Sequence, residues 1–224
     1  MFHTLEKEEA PSVLRIYSWE PQCISIGYSQ KVEEEIDLEK AKALGWDVVK
    51  RPTGGGIVFH NQAEVSYSLV TDIDYPLLPK GLIPSYKKIS EAIVYALDRM
   101  GIVAQTLNPK SEILNKSEIP ARPAGGRNPK SQLCFSYPTE YEIVVDGEKI
   151  VGSAQKRGKR ALLQQGSIFV RSTPHEAFSV LKKPFKEYNA VSVEETLGRE
   201  VGFEEISEAL IGGFKECLGV KFDG

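Results

Sequence analysis

Arg51-Pro52-Thr53-Gly54-Gly55-Gly56-Ile57-Val58-Phe59-His60 sets three consecutive glycines ahead of an apolar run. Glycine loses more backbone freedom on folding than any other residue, so three in a row suit neither a helix nor a strand centre. They suit a loop whose backbone passes close to something else. The apolar runs 57–59 and 65–70 then read as a strand pair fed by that loop, and 46–50 as a short strand entering it. A flexible turn explains the glycines equally well, so the flanking chain has to decide.

Upstream, residues 1–9 resemble the tail of a helix, ended by Pro11. Residues 13–17 alternate like a strand, Pro21 marks a turn, and 23–26 form a second strand stopped by Gly27. Cys23 sits in that apolar strand as a core thiol. The spacing of Ile36, Leu38 or Ala41, and Leu44 predicts one helix over 33–44, with Gly45 as its stop. Glu33-Glu34-Glu35 falls in its first turn, where negative charge complements the helix dipole, so no metal is needed to explain it.

Downstream, Pro76, Pro79, Gly81 and Pro84 mark a loop. Ile89, Ile93, Ala96 or Leu97, and Met100 then predict a helix over 85–100, its stripe facing the core. Residues 110–130 are polar, rich in Pro and Gly, and carry Arg122, Arg127 and Lys130. A long loop in a compact domain is functional or disordered, so this one reads as a site for an anionic partner or as a solvated linker. Asp146-Gly147 between apolar segments is a hairpin signal. A strand over 161–170 looks interrupted at Gln164-Gln165-Gly166. Pro174 starts a short helix, Ser192 with Glu195 resembles a capping box, and 204–218 form the last helix, with Cys217 on its apolar side. Strands and helices interleave without a regular βαβ repeat. The expectation is one mixed-sheet α/β domain over residues 1–224.

Composition narrows the function classes. A net charge of −3 gives no broad basic field for nucleic acid. Three widely spaced cysteines and three scattered histidines give no zinc spacing, and free thiols point to a reducing compartment. No apolar run reaches membrane-spanning length. The chain therefore reads as cytoplasmic.

The groups suited to covalent chemistry are Cys134, which opens the hairpin region, and Lys149, just past its turn. A thiol attacks as thiolate, and a nearby ammonium favours that form. The small side chains of Gly152, Ser153 and Ala154 leave room beside them for a slender ligand. An inert, buried cysteine is the other reading of Cys134.

Several motifs carry a resemblance. The stretch 51–60 resembles the glycine-rich motif of the lipoate–protein ligase A family, related to the biotin ligases. Ser25-Ile26-Gly27-Tyr28-Ser29-Gln30 is similar to its upstream strand-turn, and Lys149-Ile150-Val151-Gly152-Ser153-Ala154-Gln155 to its lysine motif. Cys134-Phe135 ahead of Tyr141-Glu142-Ile143 resembles the LipM-type octanoyltransferases of that family. The resemblance implies a mixed-sheet α/β catalytic domain of the kind shared by class II aminoacyl-tRNA synthetases and biotin synthetases. It implies octanoyl transfer in lipoate biosynthesis, from octanoyl-acyl carrier protein to lipoyl-domain proteins such as the glycine-cleavage H protein. Cys134 would carry the acyl group as a thioester and Lys149 would stabilise the thiolate. Thr53 and the backbone of Gly54, Gly55 and Gly56 would line the acyl site, and Arg51 would hold an anionic group of the donor or form a salt bridge. His60 would orient the loop or serve as a packed structural histidine, and Arg122, Arg127 and Lys130 would steer docking. No cofactor or metal is implied for transfer. The alternative, an ATP-dependent lipoate–protein ligase, would use ATP and magnesium; a non-catalytic acyl-binding or accessory subunit is a second alternative. The chain departs from the family in lacking a longer first helix, in ending soon after Phe222, and in having Gln165 where histidine is common.

Overall fold

The structure is a computed structural model and describes residues 1–61, 64–107, 141–183 and 189–222. Two sheets carry the fold. The larger is built from β1 (Val13–Tyr17), β5 (Glu64–Asp72), β9 (Ala161–Phe169), β8 (Glu148–Arg157), β7 (Ile143–Val145) and β6 (Gln105–Thr106), in that order. Its neighbouring pairs are all antiparallel. The smaller sheet has β2 (Cys23–Ile26) at its centre, parallel to β3 (Asp47–Lys50) and antiparallel to β4 (Val58–His60). The mixed sheet expected from the sequence is thus present.

Helices cover one face of each sheet. The amphipathic α4 (Leu82–Arg99) and α6 (Phe203–Leu218) lie on the large sheet, where Ile89, Ile93, Leu210 and Phe214 meet Tyr67, Leu162 and Ile168 in the main core. Cys217 packs at the edge of that core. A second core joins Ile24, Ile26, Ile36 and Phe59 to Phe178, on a 3₁₀ turn at His175–Val180. Within it Phe59 meets Trp46 and Phe178 edge-to-face, at centroid distances of 5.4 and 5.2 Å. The short α1 (Phe2–Lys7) seats Leu5 against Val70 and Leu163, and its Glu6 carboxylate accepts backbone N–H bonds from Lys159, Arg160 and Ala161.

Three expectations need correction. Residues 33–44 are not one helix. They form α2 (Val32–Glu35) and α3 (Leu38–Ala43), split where Ile36 runs extended and bridges Leu181. Asp37 then caps α3, its carboxylate accepting the Lys40 N–H. A short polar side chain at a possible N-cap outweighs the continuing apolar period. The runs after the glycine loop are not a strand pair, because β4 and β5 join different sheets. Nor is β9 interrupted at residues 164–166. Gly166 sits there because a Cβ would lie 2.5 Å from the Tyr67 ring and 2.6 Å from Ser153 Oγ. The Asp146–Gly147 turn forms as expected, with φ of 49° and 86°, as a tight hairpin requires. The capping box of α5 (Val193–Leu197) is complete: Ser192 accepts from the Glu195 backbone and Glu195 from that of Ser192.

Candidate active site

The faces left bare by the helices line a cavity of about 260 Å³ that is open to solvent on one side. Strand pairing explains its floor. Tyr17, Ser66, Ser167 and Gly152 are register partners across β1, β5, β9 and β8, so they share one face, and all four line the cavity. The next row, Gln165 beside Ala154, does the same. Small and polar side chains in these rows leave the open volume. The facing wall comes from the small sheet, where Ser25, Val58 and His60 alternate with the core residues Ile24, Ile26 and Phe59.

A hydrogen-bonded chain runs along that wall. His60 Nε2 lies 2.6 Å from Ser25 Oγ, and His60 Nδ1 lies 2.5 Å from Glu64 Oε1. Ser66 donates to Glu64 Oε1 at 2.9 Å, Ser167 donates to Glu64 Oε2, and the Trp19 indole donates to Ser66 Oγ at 3.0 Å. Trp19 also stacks on the imidazole, 4.5 Å between centroids. A carboxylate only accepts, so Nδ1 carries the proton it gives to Glu64. In the neutral ring Nε2 is then the acceptor and Ser25 the donor.

Arg51 closes the chain at the glycine loop. Its Nη1 donates to Ser25 O and Oγ at 3.0 and 3.2 Å, and its Nη2 to the carbonyls of Gly54 and Gly56 at 3.0 and 2.5 Å. The loop also packs against the β2 end, where a Cβ on Gly27 would lie 2.0 Å from Gly55 O. Gly55 takes φ of 97°, a conformation that favours glycine.

Lys149 is a second buried cation. Its side chain is fully buried and Nζ meets Glu142 Oε1 at 2.5 Å. The cause is a β-bulge. Ile143 pairs with Val151 but Val144 with Lys149, so Ile150 is an extra residue in β8. Ile143 and Val144 face opposite ways, and so therefore do Val151 and Lys149. The bulge turns Lys149 away from the helix-covered core and onto the cavity side of the sheet, where Glu142, two residues before Val144, meets it.

Residues 1–215 match the family described as the lipoyl protein ligase A/B catalytic domain. The chain belongs to that family. Octanoyltransferase LipM of Kyrpidia tusciae is 39% identical to it, over 96% of this chain and 78% of that protein. A lipoate-protein ligase A with bound ATP superposes with a TM-score of 0.72 at 27% identity, covering 96% of this chain and 75% of that one. A bi-partite lipoate protein ligase from Thermoplasma acidophilum, studied with its E2 lipoyl domain, gives 0.65 at 25% identity, covering 96% and 74%.

In this lipoyl ligase fold the predicted site residues fall into three groups. Arg51, His60, Gly152, Ser153 and Ala154 line the cavity. Thr53, Gly54, Gly55 and Gly56 are not among its lining residues; Thr53 is buried, with its Oγ1 lacking a hydrogen-bond partner among the described residues. Lys149 lies on the cavity side of the sheet but is likewise not a lining residue. Cys134, Arg122, Arg127 and Lys130 lie outside the described residues. Sequence reasoning missed Ser25, Glu64 and Glu142. An acid at the head of an apolar strand was the available signal for the latter two: Glu64 opens β5 and Glu142 directly precedes β7. Cys23, paired with His60 across β2 and β4, is pushed up to about 11, by burial first and then by Asp47 and Glu64, which leaves it an inert thiol.

Proposed function

We propose that the protein is an octanoyl-[acyl carrier protein]:protein N-octanoyltransferase of lipoate biosynthesis, acting in the cytoplasm. The likeness to octanoyltransferase LipM over 96% of the chain carries this reading. The cavity between the sheets, lined by Gly152 and Ala154, supports it as a place for a slender acyl chain.

In the first half-reaction the Cys134 thiolate attacks the thioester carbonyl of octanoyl-acyl carrier protein. A new C–S bond forms, the old one breaks, and the carrier thiol leaves with a proton. Lys149, held in place by Glu142, favours the thiolate. In the second half-reaction a lysine amine of a lipoyl domain, such as that of the glycine-cleavage H protein, attacks the acyl-enzyme. An amide forms and the Cys134 sulfur departs. Arg51 holds the glycine loop through its carbonyls, and Arg122, Arg127 and Lys130 steer the protein partners.

The test is transfer from octanoyl-acyl carrier protein to a lipoyl domain with and without ATP. Equal product in both supports the proposal. Product only from free lipoate or octanoate with ATP and magnesium makes the protein a ligase instead. No product in either arm makes it a non-catalytic acyl-binding subunit.

A further inference from the structure

Ser25, His60 and Glu64 form a hydrogen-bonded series that the proposed acyl transfer does not use. The base is oriented by a carboxylate at 2.5 Å, and its second nitrogen meets a hydroxyl at 2.6 Å. This is how a nucleophile or proton donor is coupled to an imidazole base. All three members are buried, yet Ser25 and His60 line the cavity. Three separate donors, His60, Ser66 and Ser167, converge on Glu64 and fix its position. Trp19, stacked on the ring, fixes the plane of the imidazole. Among the described residues, Tyr17 on β1, Cys23 on β2 and Arg51 on the loop are titratable neighbours of the series, and Glu64 is the group at Nδ1.

We infer that Ser25 and His60 form the proton relay of the second half-reaction, taking a proton from the incoming lysine ammonium, with Glu64 as the positioning residue that sets the tautomer. The inference rests on the octanoyl-transfer reading. An ammonium has no lone pair and must lose a proton before it attacks. Ser25 gives its proton to His60 Nε2 and takes one from the ammonium. The free amine then forms the C–N bond as the C–S bond breaks. Its second proton leaves with the departing sulfur, and the imidazolium returns its proton to solvent. The Arg51 Nη1 contact to Ser25 Oγ favours the hydroxyl's partial negative charge during the shuttle.

The two half-reactions are measured separately on the full chain: acyl-enzyme formation from octanoyl-acyl carrier protein by intact mass, then its discharge to a lipoyl domain against pH. His60→Gln and Ser25→Ala are expected to slow discharge about 10²-fold, the usual scale of lost general-base catalysis, and at least about tenfold more than they slow acyl-enzyme formation. In His60→Gln, discharge rises with pH as the free amine fraction rises, and added imidazole restores part of it in His60→Gly. Glu64→Gln shifts the discharge profile without abolishing it. Equal loss of both half-reactions, or unchanged discharge, overturns the relay and leaves the series a structural one. A wild-type protein that forms no acyl-enzyme at all overturns the transfer reading itself, which these variants then do not bear on.

Discussion

Removing the Glu142 carboxylate is the perturbation with the largest effect on stability that the structure lets one work out. Lys149 is 0% exposed and Glu142 7%, at 2.5 Å, so neither charge has water to fall back on. Taking away one partner of such a buried pair costs about 3–5 kcal/mol. For a chain of 224 residues that lowers Tm by roughly 6–20 °C. An exposed pair of similar geometry gives the control: Lys88 and Glu91 meet at 2.9 Å with 33% and 58% of their side chains exposed. Water and ions screen that pair, so Glu91→Ala costs less than about 1 kcal/mol. The buried pair also has a repair. Glu142→Leu combined with Lys149→Met removes both charges and keeps the volume, and its melt returns to within about 1 kcal/mol of the wild type. The assay is thermal unfolding by circular dichroism at one ionic strength. If Glu142→Ala melts within a degree or two of Glu91→Ala, or if the double variant is no more stable than Glu142→Ala, burial is not what makes this pair matter.

Three further outcomes follow from single contacts. Gly166→Val drives a side chain into the Tyr67 ring and Ser153 Oγ and costs about 1–3 kcal/mol in denaturant unfolding; an unchanged midpoint contradicts the packing described. Ser192→Ala breaks the capping box of α5 and costs about 1 kcal/mol, whereas Ser192→Thr, which keeps the hydroxyl that donates to Glu195, keeps most of it. Cys23 resists alkylation in the folded protein at pH 8. Its folded value lies above that of a free thiol, so its share of stability is present below about pH 9 and lost as pH rises through about 11. Rapid native labelling of Cys23 at pH 8 rules this out.

The sequence shows local devices well and long-range register poorly. The hairpin at Asp146-Gly147 is legible because its turn chemistry sits in adjacent residues, and the capping box of Ser192 and Glu195 for the same reason. The glycine loop is legible as a close backbone approach, but the backbone it meets is Gly27, which no spacing reveals. The helix break at Ile36 depends on a bridge to Leu181, far along the chain. The site shows the same split. Gly152 and Ala154 could be picked out as small residues in a strand, and they do line the cavity. Ser25, His60 and Glu64 converge only because β2 pairs with β4 and the chain then crosses to β5 in the other sheet. The bulge at Ile150 decides which way Lys149 faces, and one extra residue in a strand leaves no mark in the apolar pattern.

The central claim is that the octanoyl group passes through a thioester on Cys134. The direct measurement is the intact mass of the protein after mixing with octanoyl-acyl carrier protein in the absence of ATP. The expected result is a single octanoyl adduct that hydroxylamine removes at neutral pH, that a lipoyl domain discharges, and that Cys134→Ser abolishes. An adduct that persists in Cys134→Ser, or transfer that proceeds at wild-type rate without one, contradicts it.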